Sequence, residues 1–534
     1  MRLRLDLLWL YLFVPLPPLA AQANVLTVHN DVARTGQNLE EATLSTSNVN
    51  SATFGKVFQA TLDGVVDAQP LYVARVLIPS QGVHSVLIAA TENDSLYALD
   101  ADTGAELWRV SLLASGETPS DPVDCNQVTP QIGITSTPVI KPGILEGSGI
   151  VTVTLEGAVF AVAMSQDSTG NYHQRLYKVE LTTGKQIANV EITAQYPGTG
   201  DGSSGGYVVF NPKQYEERSG LLLLNGTVYL GWSSHCDHKP YTGWIMGYNA
   251  ETLAQTTVID VTPNGSEGSI WMAGGGLAAD PSGYIYFLDA NGTFDTTLNS
   301  EGFPANGDYG NAFIKLSAAG KQLMVADYFA EDDTNCESNQ DLDLGSGGVL
   351  VLPDMIDSSG RVRHLAIGAG KDTNIYLVDR DNMGRFNPNT DNPIYQVLFG
   401  ALPGGIWSMP AYYNGLVYFG EVGGPLQAFQ FSEAKLLSTP VSATTTSFPY
   451  PGATPSISAK GAMNGILWAV ENSSTAVLHA YSADNVAQEL YNSNQAANGR
   501  DQFGAGNKFM VPTIANGRVY VGTPTGVAAF GLLS

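Results

Sequence analysis

Charge and cysteine are what this sequence has least of. Only 14% of its 534 residues are charged. A chain so poor in Lys and Glu excludes helical bundles and coiled coils, which need those residues in quantity. Lys and Arg number 25 against 50 Asp and Glu, a net charge of −25. Phosphate backbones are bound by Lys and Arg, so nucleic acid is excluded as a partner. The same repulsion excludes a site on anionic membranes. Three cysteines, Cys125, Cys236 and Cys336, allow at most one internal disulfide. Their spacing fits no zinc framework, and without a Cys-x-x-Cys-His motif covalent c-type haem is excluded. Beyond residue 23 no apolar run is long enough to cross a bilayer. There is no Ser/His/Asp hydrolase elbow. Gly274–Gly276 is followed by no helix, so it is not a phosphate loop.

Glycine and aromatics are abundant instead: 58 Gly, 24 Tyr, 19 Phe and 7 Trp. With 44% hydrophobic residues, that mixture predicts short strands, tight turns and a large core. Residues 1–23 read as a secretory signal. They carry Arg2 and Arg4, an apolar stretch from Leu7 to Leu16, and a small-x-small site at Ala21-Gln22-Ala23. The expectation is a bacterial protein, periplasmic or secreted after cleavage near Ala23, with residues 24–534 as one domain.

A repeat runs through that domain. Its clearest copy is Ser85–Leu112, three alternating strands with two turns, and Leu71-Tyr72-Val73 upstream supplies a fourth. Degenerate copies recur, three of them with runs that open on Asn414-Gly415, Asn464-Gly465 and Asn516-Gly517. The copy at Pro138–Ile192 carries an insertion around Asp167–Tyr172. The last copy, Pro512–Leu533, stops after three strands. The missing strand is available at Phe54–Leu62, which predicts closure of a ring by the N-terminus. Eight units of about 60 residues each predict an all-β, eight-bladed β-propeller of four-stranded antiparallel blades. Trp108 is expected to pack between blades.

The run Leu96–Trp108, and Asn516–Ala529 with it, resembles the repeat of pyrroloquinoline quinone (PQQ) propellers. That family contains dehydrogenases and also outer-membrane assembly-factor scaffolds without cofactor. Several positions are similar to the dehydrogenase site. Asp67-Ala68-Gln69-Pro70-Leu71 has the form of the acidic residue beside the quinone. Ser233-Ser234-His235-Cys236-Asp237 resembles the segment that supplies a calcium-binding carboxylate. Ile270-Trp271-Met272 before Gly274–Gly276 looks like the tryptophan floor beneath the quinone ring. Asn291 matches a calcium-binding Asn, Asp343 in Leu342-Asp343-Leu344-Gly345 the catalytic aspartate, and Lys371 in Lys371–Arg380 the basic residue at the quinone. The family's adjacent cysteine pair is missing, and Cys125 lies alone in the comparable loop.

The strand reading puts these positions on one face. Asp237, Asn291 and Lys371 lie near the ends of second strands or in the loops beside them, although Lys371 precedes its strand. Asp67, Trp271 and Asp343 lie just before first strands. The resemblance implies PQQ and Ca²⁺, with Asp237 and Asn291 as metal ligands, Asp67, Trp271 and Lys371 at the cofactor, and Asp343 as base. The activity implied is oxidation of an alcohol or sugar, with electrons passed to a separate acceptor protein. The alternative is a non-catalytic scaffold binding protein or polysaccharide on the same face. Cys236 is expected to bridge to Cys125 or Cys336. Glu331-Asp332-Asp333 reads as a solvated loop, and His235 and His238 as surface histidines.

Overall fold

The computed structural model describes residues 23–146, 153–272, 274–320, 322–391 and 393–533. Apart from Ala23, the expected export signal lies outside them. Among the described residues, eight sheets of four or more strands follow one another along the chain, with three smaller ones beside them. Sheet 1 is built from Leu71–Ile78, Gly82–Ala90, Ser95–Asp100 and Glu106–Ser111, each strand antiparallel to the next. The first strands of sheets 2 to 5 are Val139–Pro142, Leu222–Leu224, Ala278–Ala279 and Leu350–Val351. Those of sheets 6 to 8 are Ala411–Tyr413, Ser456–Lys460 and Thr513–Ala515.

The turns explain why the meanders form. Asn225-Gly226, Asn414-Gly415 and Asn516-Gly517 hold both residues at positive φ, the geometry that joins antiparallel strands without splaying them. In sheet 2 the segment around Asp167–Tyr172 is not an insertion. It is the tight turn between two long strands, Gly157–Gln166 and Tyr172–Glu180, closed by Asp167 N–H donating to the Asn171 carbonyl. The additional residues of that repeat lie earlier, between its first and second strands.

Sheet 8 has three strands of its own, and Phe54–Thr61 is its fourth, antiparallel to Gly526–Leu532. Cores are shared between consecutive sheets. One cluster joins residues of sheets 8, 1 and 2, and others join 2 to 3, 3 through 5, 5 to 6, 6 to 7 and 7 to 8. Glycines of the repeat serve this packing. A Cβ on Gly184 would meet the Trp108 ring at 2.5 Å, and one on Gly104 the Phe58 ring at 2.6 Å. Trp108 thus stands on the next sheet and donates its indole N–H to the Leu181 carbonyl.

The segment before Phe54 has no counterpart in the repeat. It passes the eight sheets in order, meeting six through its backbone and two through side chains. Val25 exchanges two hydrogen bonds with Tyr72, and the Leu26, Val32, Ala33, Thr35 and Gly36 carbonyls accept from Ile140, Ala279, Val351, Tyr412 and Ile457. Sheet 3 is reached by Thr27 Oγ1 donating to the Leu221 carbonyl, and sheet 8 by Asn38 Nδ2 donating to the Ile514 carbonyl. Arg34, fully buried, fans out to the Val28, Leu277 and Leu221 carbonyls and to Thr27 Oγ1. Residues 25–41 therefore form a hub hydrogen-bonded to the first strands of seven sheets and to Leu221, just before the first strand of sheet 3.

A chain beginning after Leu62 loses both the hub and the fourth strand of sheet 8. It should be insoluble or melt far below the full chain, since buried backbone groups and an apolar strand edge are left without partners. Thermal unfolding followed by circular dichroism is the check. An unchanged melting temperature would contradict the role given to residues 23–62.

Candidate active site

The functional positions converge where the first strands begin. Asp237 follows the second strand of sheet 3 (Thr227–Gly231), and Asn291 that of sheet 4 (Tyr284–Leu288). Lys371 follows the second strand of sheet 5, Leu365–Ala369, as well as preceding the third, Ile375–Asp379. It is therefore a loop residue of the same kind as the other two. Trp271, Asp343, Trp407 and Phe509 precede the first strands of sheets 4, 5, 6 and 8. The hub binds those strands at or near their second residue, directly behind the site.

Five of the six residues singled out in the sequence line one cavity: Asp237, Trp271, Asn291, Asp343 and Lys371. The sixth, Asp67, lines an adjoining cavity, and the two share Arg218 and Phe509. Asp67 Oδ1 accepts from Asn507 Nδ2 at 2.8 Å, and burial pushes its carboxyl up. A larger open groove lies on the outer strands of sheets 3 and 4, and among the described residues no Lys, Arg or His lines it. The small cavity is where charge, aromatic surface and buried acceptors meet.

At its centre Lys371 Nζ lies 2.8 Å from Asp343 Oδ1 and also bonds Asp341. Asp343 is 2% exposed. Burial pushes its carboxyl up, with the Lys371 ammonium working against the shift. Burial pulls Lys371 down, but Asp343 and Asp341 outweigh it and leave the ammonium above its usual range. Asp341 also accepts from Asn291 Nδ2 at 2.7 Å, which turns that amide so that its Oδ1 is buried with no hydrogen-bond partner. Asp237 has one oxygen occupied, accepting from the Tyr241 hydroxyl at 2.9 Å. Asp237, Asn291 and Asp343 thus line the cavity with hard oxygen atoms, a donor set that fits a divalent cation in kind.

The same cavity is also lined by aromatic rings and cations. Trp271, Trp407, Tyr450 and Phe509 line it. The Arg218 guanidinium lies 5.3 Å from the Trp271 ring and 4.4 Å from that of Phe509, and donates to Gln127 Oε1 at 2.7 Å. Rings with Arg218 and Lys371 fit a flat polyanion in kind. The space against Trp271 is filled by Arg218, and the cavity measures about 60 Å³. Sequence reasoning missed Gln127, Arg218, Trp407, Tyr450 and Phe509, which have no local motif. Their one common signal is a place just before a first strand or in the loop before sheet 2.

Cys236 is bonded to Cys125, with 5.6 Å between Cα atoms, and Cys336 is free and exposed. The bridge ties the loop of Asp237 to the loop of Gln127. His235 is not a surface residue: it is 1% exposed, and burial pulls its imidazole down to about 4.

No family model matches the sequence, and no curated protein is recognisably similar to it. Solved structures are similar in fold. A quinohemoprotein alcohol dehydrogenase from Comamonas testosteroni superposes at a TM-score of 0.62 and 13% identity, over 96% of this chain and 81% of that one. One from Pseudomonas putida gives 0.61 and 13%, over 96% and 80%. A europium-containing methanol dehydrogenase gives 0.56 and 11%, over 96% and 98%. The chain thus shares its overall all-β fold with these quinohemoprotein and methanol dehydrogenases.

Cross-linking across 111 residues disfavours the unfolded chain by about 4–5 kcal/mol in the chain-entropy account. Replacing Cys125 and Cys236 by Ser should therefore lower stability by about 2–5 kcal/mol. Alkylation and mass mapping of protein from an oxidising compartment should find Cys336 as the single free thiol. Three free thiols would contradict the bridge.

Proposed function

We propose that this chain is an exported PQQ-dependent dehydrogenase that oxidises an alcohol or sugar and passes the electrons to a separate acceptor protein. Residues 24–534 are read as one eight-bladed propeller, closed where Phe54–Thr61 completes the last blade. The run of shared cores from sheet 1 through sheet 8 and back supports that closure. The observation that carries the functional reading is the cavity itself. It pairs a buried carboxylate, Asp343, with Lys371, beside the free Oδ1 of Asn291 and aromatic rings.

Asp237 and Asn291 would hold Ca²⁺, with Asp343 beside them. Trp271, Arg218 and Lys371 would hold PQQ, with Asp67 next to it. When bound, the quinone supplies the two-electron acceptor and the cation polarises it. The protein's part is to bind and to move a proton. Asp343 takes the proton of the substrate hydroxyl at its carboxylate as hydride or its equivalent leaves carbon. Lys371 keeps that carboxylate ionised and oriented, and offers positive charge where negative charge develops. The rings of Trp407, Tyr450 and Phe509 exclude water. A scaffold without cofactor is the second reading. It is favoured by Arg218 filling the space against Trp271 and by the absence of an adjacent cysteine pair.

Dye-linked alcohol oxidation by protein loaded with PQQ and Ca²⁺ tests the role of Asp343. Asp343→Asn should lose at least a hundredfold in kcat while retaining PQQ, because the amide keeps the shape but accepts no proton. Since burial raises the Asp343 carboxyl, kcat should rise with pH through an inflection above about 4, the ordinary carboxylate value. Wild-type activity retained by Asp343→Asn, or a pH-independent rate, would remove Asp343 as base. Arg218→Leu should weaken PQQ binding about tenfold or more by removing a cation from a polyanion's site.

A further inference from the structure

A second group of carboxylates stands next to the cavity but does not line it. Glu331 follows the outer strand of sheet 4, Met324–Ala330. Glu337 sits in the short helix α1, Thr334–Gln340, and Asp372 follows Lys371. One oxygen of each lies within 4.8 Å of the others. The solvated loop expected at Glu331-Asp332-Asp333 is only partly that. Asp332 and Asp333 are exposed, but Glu331 turns inward and is 2% exposed.

Two oxygens of the group are buried with no hydrogen-bond partner, Glu331 Oε1 and Asp372 Oδ1. Among the described residues, no Lys, Arg or His forms an ion pair with any of the three carboxylates. Neutral groups hold them in place instead. The Tyr376 hydroxyl donates to Asp372 Oδ2 at 2.6 Å, and Asn311 Nδ2 donates to Glu337 Oε2 at 3.2 Å. Asn311 is itself fixed, its Oδ1 accepting from Leu344 N–H at 2.8 Å. A buried carboxylate without a counter-charge is costly, and three together repel one another. Burial and the neighbouring carboxylates push Glu331 well above the ordinary range. Clustered carboxylates with free oxygens, oriented by neutral hydrogen-bond donors, are what a hard divalent cation requires.

We propose that Glu331, Glu337 and Asp372 bind a divalent cation, Ca²⁺ by the chemistry of the ligands, at a site separate from the one formed by Asp237 and Asn291. The ion joins three segments. These are the end of sheet 4, the helix that leads into Asp341 and Asp343, and the loop that carries Lys371. It therefore acts as a positioning device for the Lys371–Asp343 pair and is not part of the chemistry.

Terbium(III), a luminescent stand-in for Ca²⁺ that is sensitised by a nearby Tyr376, is the probe. The experiment is done on full-length Asp237→Ala, so failure of the site formed by Asp237 and Asn291 does not enter the result. That protein should take up one Tb³⁺ per chain and release it to Ca²⁺. Adding Glu331→Gln and Glu337→Gln should weaken uptake at least tenfold. If that combination does not fold, Asp372→Asn in the same background should weaken it similarly. The proposal is overturned if Asp237→Ala shows no saturable uptake, as expected if the cluster shares protons instead. Uptake that the cluster substitutions leave unchanged would overturn it too.

Discussion

Hydrogen bonding between residues 25–41 and the first strands of the sheets is the constraint from which the rest of the molecule follows. The first strand of each of the eight sheets has backbone groups that its own second strand does not meet. Water could satisfy them only if the centre were a wide channel. Here one short stretch of chain satisfies them, with Arg34 meeting the carbonyls that the backbone does not reach. The close approach is visible in the glycines: a Cβ on Gly220 would meet Val28 at 2.5 Å, and one on Gly276 would meet it at 3.0 Å. The hub sets how near the first strands come, and so how tightly the residues just before them crowd together.

That crowding gives the cavity its electrostatics. Asp343 and Lys371 are brought together by their own backbones, since the Lys371 N–H donates to the Asp343 carbonyl at 2.9 Å. Their side chains then meet in a setting that excludes water, where an ion pair counts for more than it does at a surface. Arg218 has no such carboxylate at bonding distance; Glu216 Oε1 stands 3.9 Å from its Nε. It rests against the rings of Trp271 and Phe509. The Cys125–Cys236 bridge holds the loops on either side of that arginine.

Much of this was legible in the sequence, for physical reasons. Strand alternation and Asn-Gly turns are local signals, so the repeat could be read through the whole chain, and a three-strand ending pointed to Phe54–Leu62. The resemblance to the quinoprotein site singled out six positions, and counting strands grouped them on one face; five of them line one cavity. Lys371 reads in the sequence as preceding its strand, Ile375–Asp379, whereas in the structure it also follows Leu365–Ala369. The hub was invisible because residues 25–41 carry no alternation; their partners are strands hundreds of residues away. Arg218, and the inward turn of Glu331 out of an acidic run, belong to the same kind of miss, being set by tertiary neighbours.

The central claim is that the cavity holds a quinone with a divalent cation. Calorimetric titration of the full-length wild-type chain with PQQ, with and without Ca²⁺, tests it most directly. The account predicts saturable binding of one PQQ per chain that weakens at least tenfold when Ca²⁺ is chelated. Absence of saturable binding with Ca²⁺ present would contradict it and leave the same face as the binding surface of a scaffold.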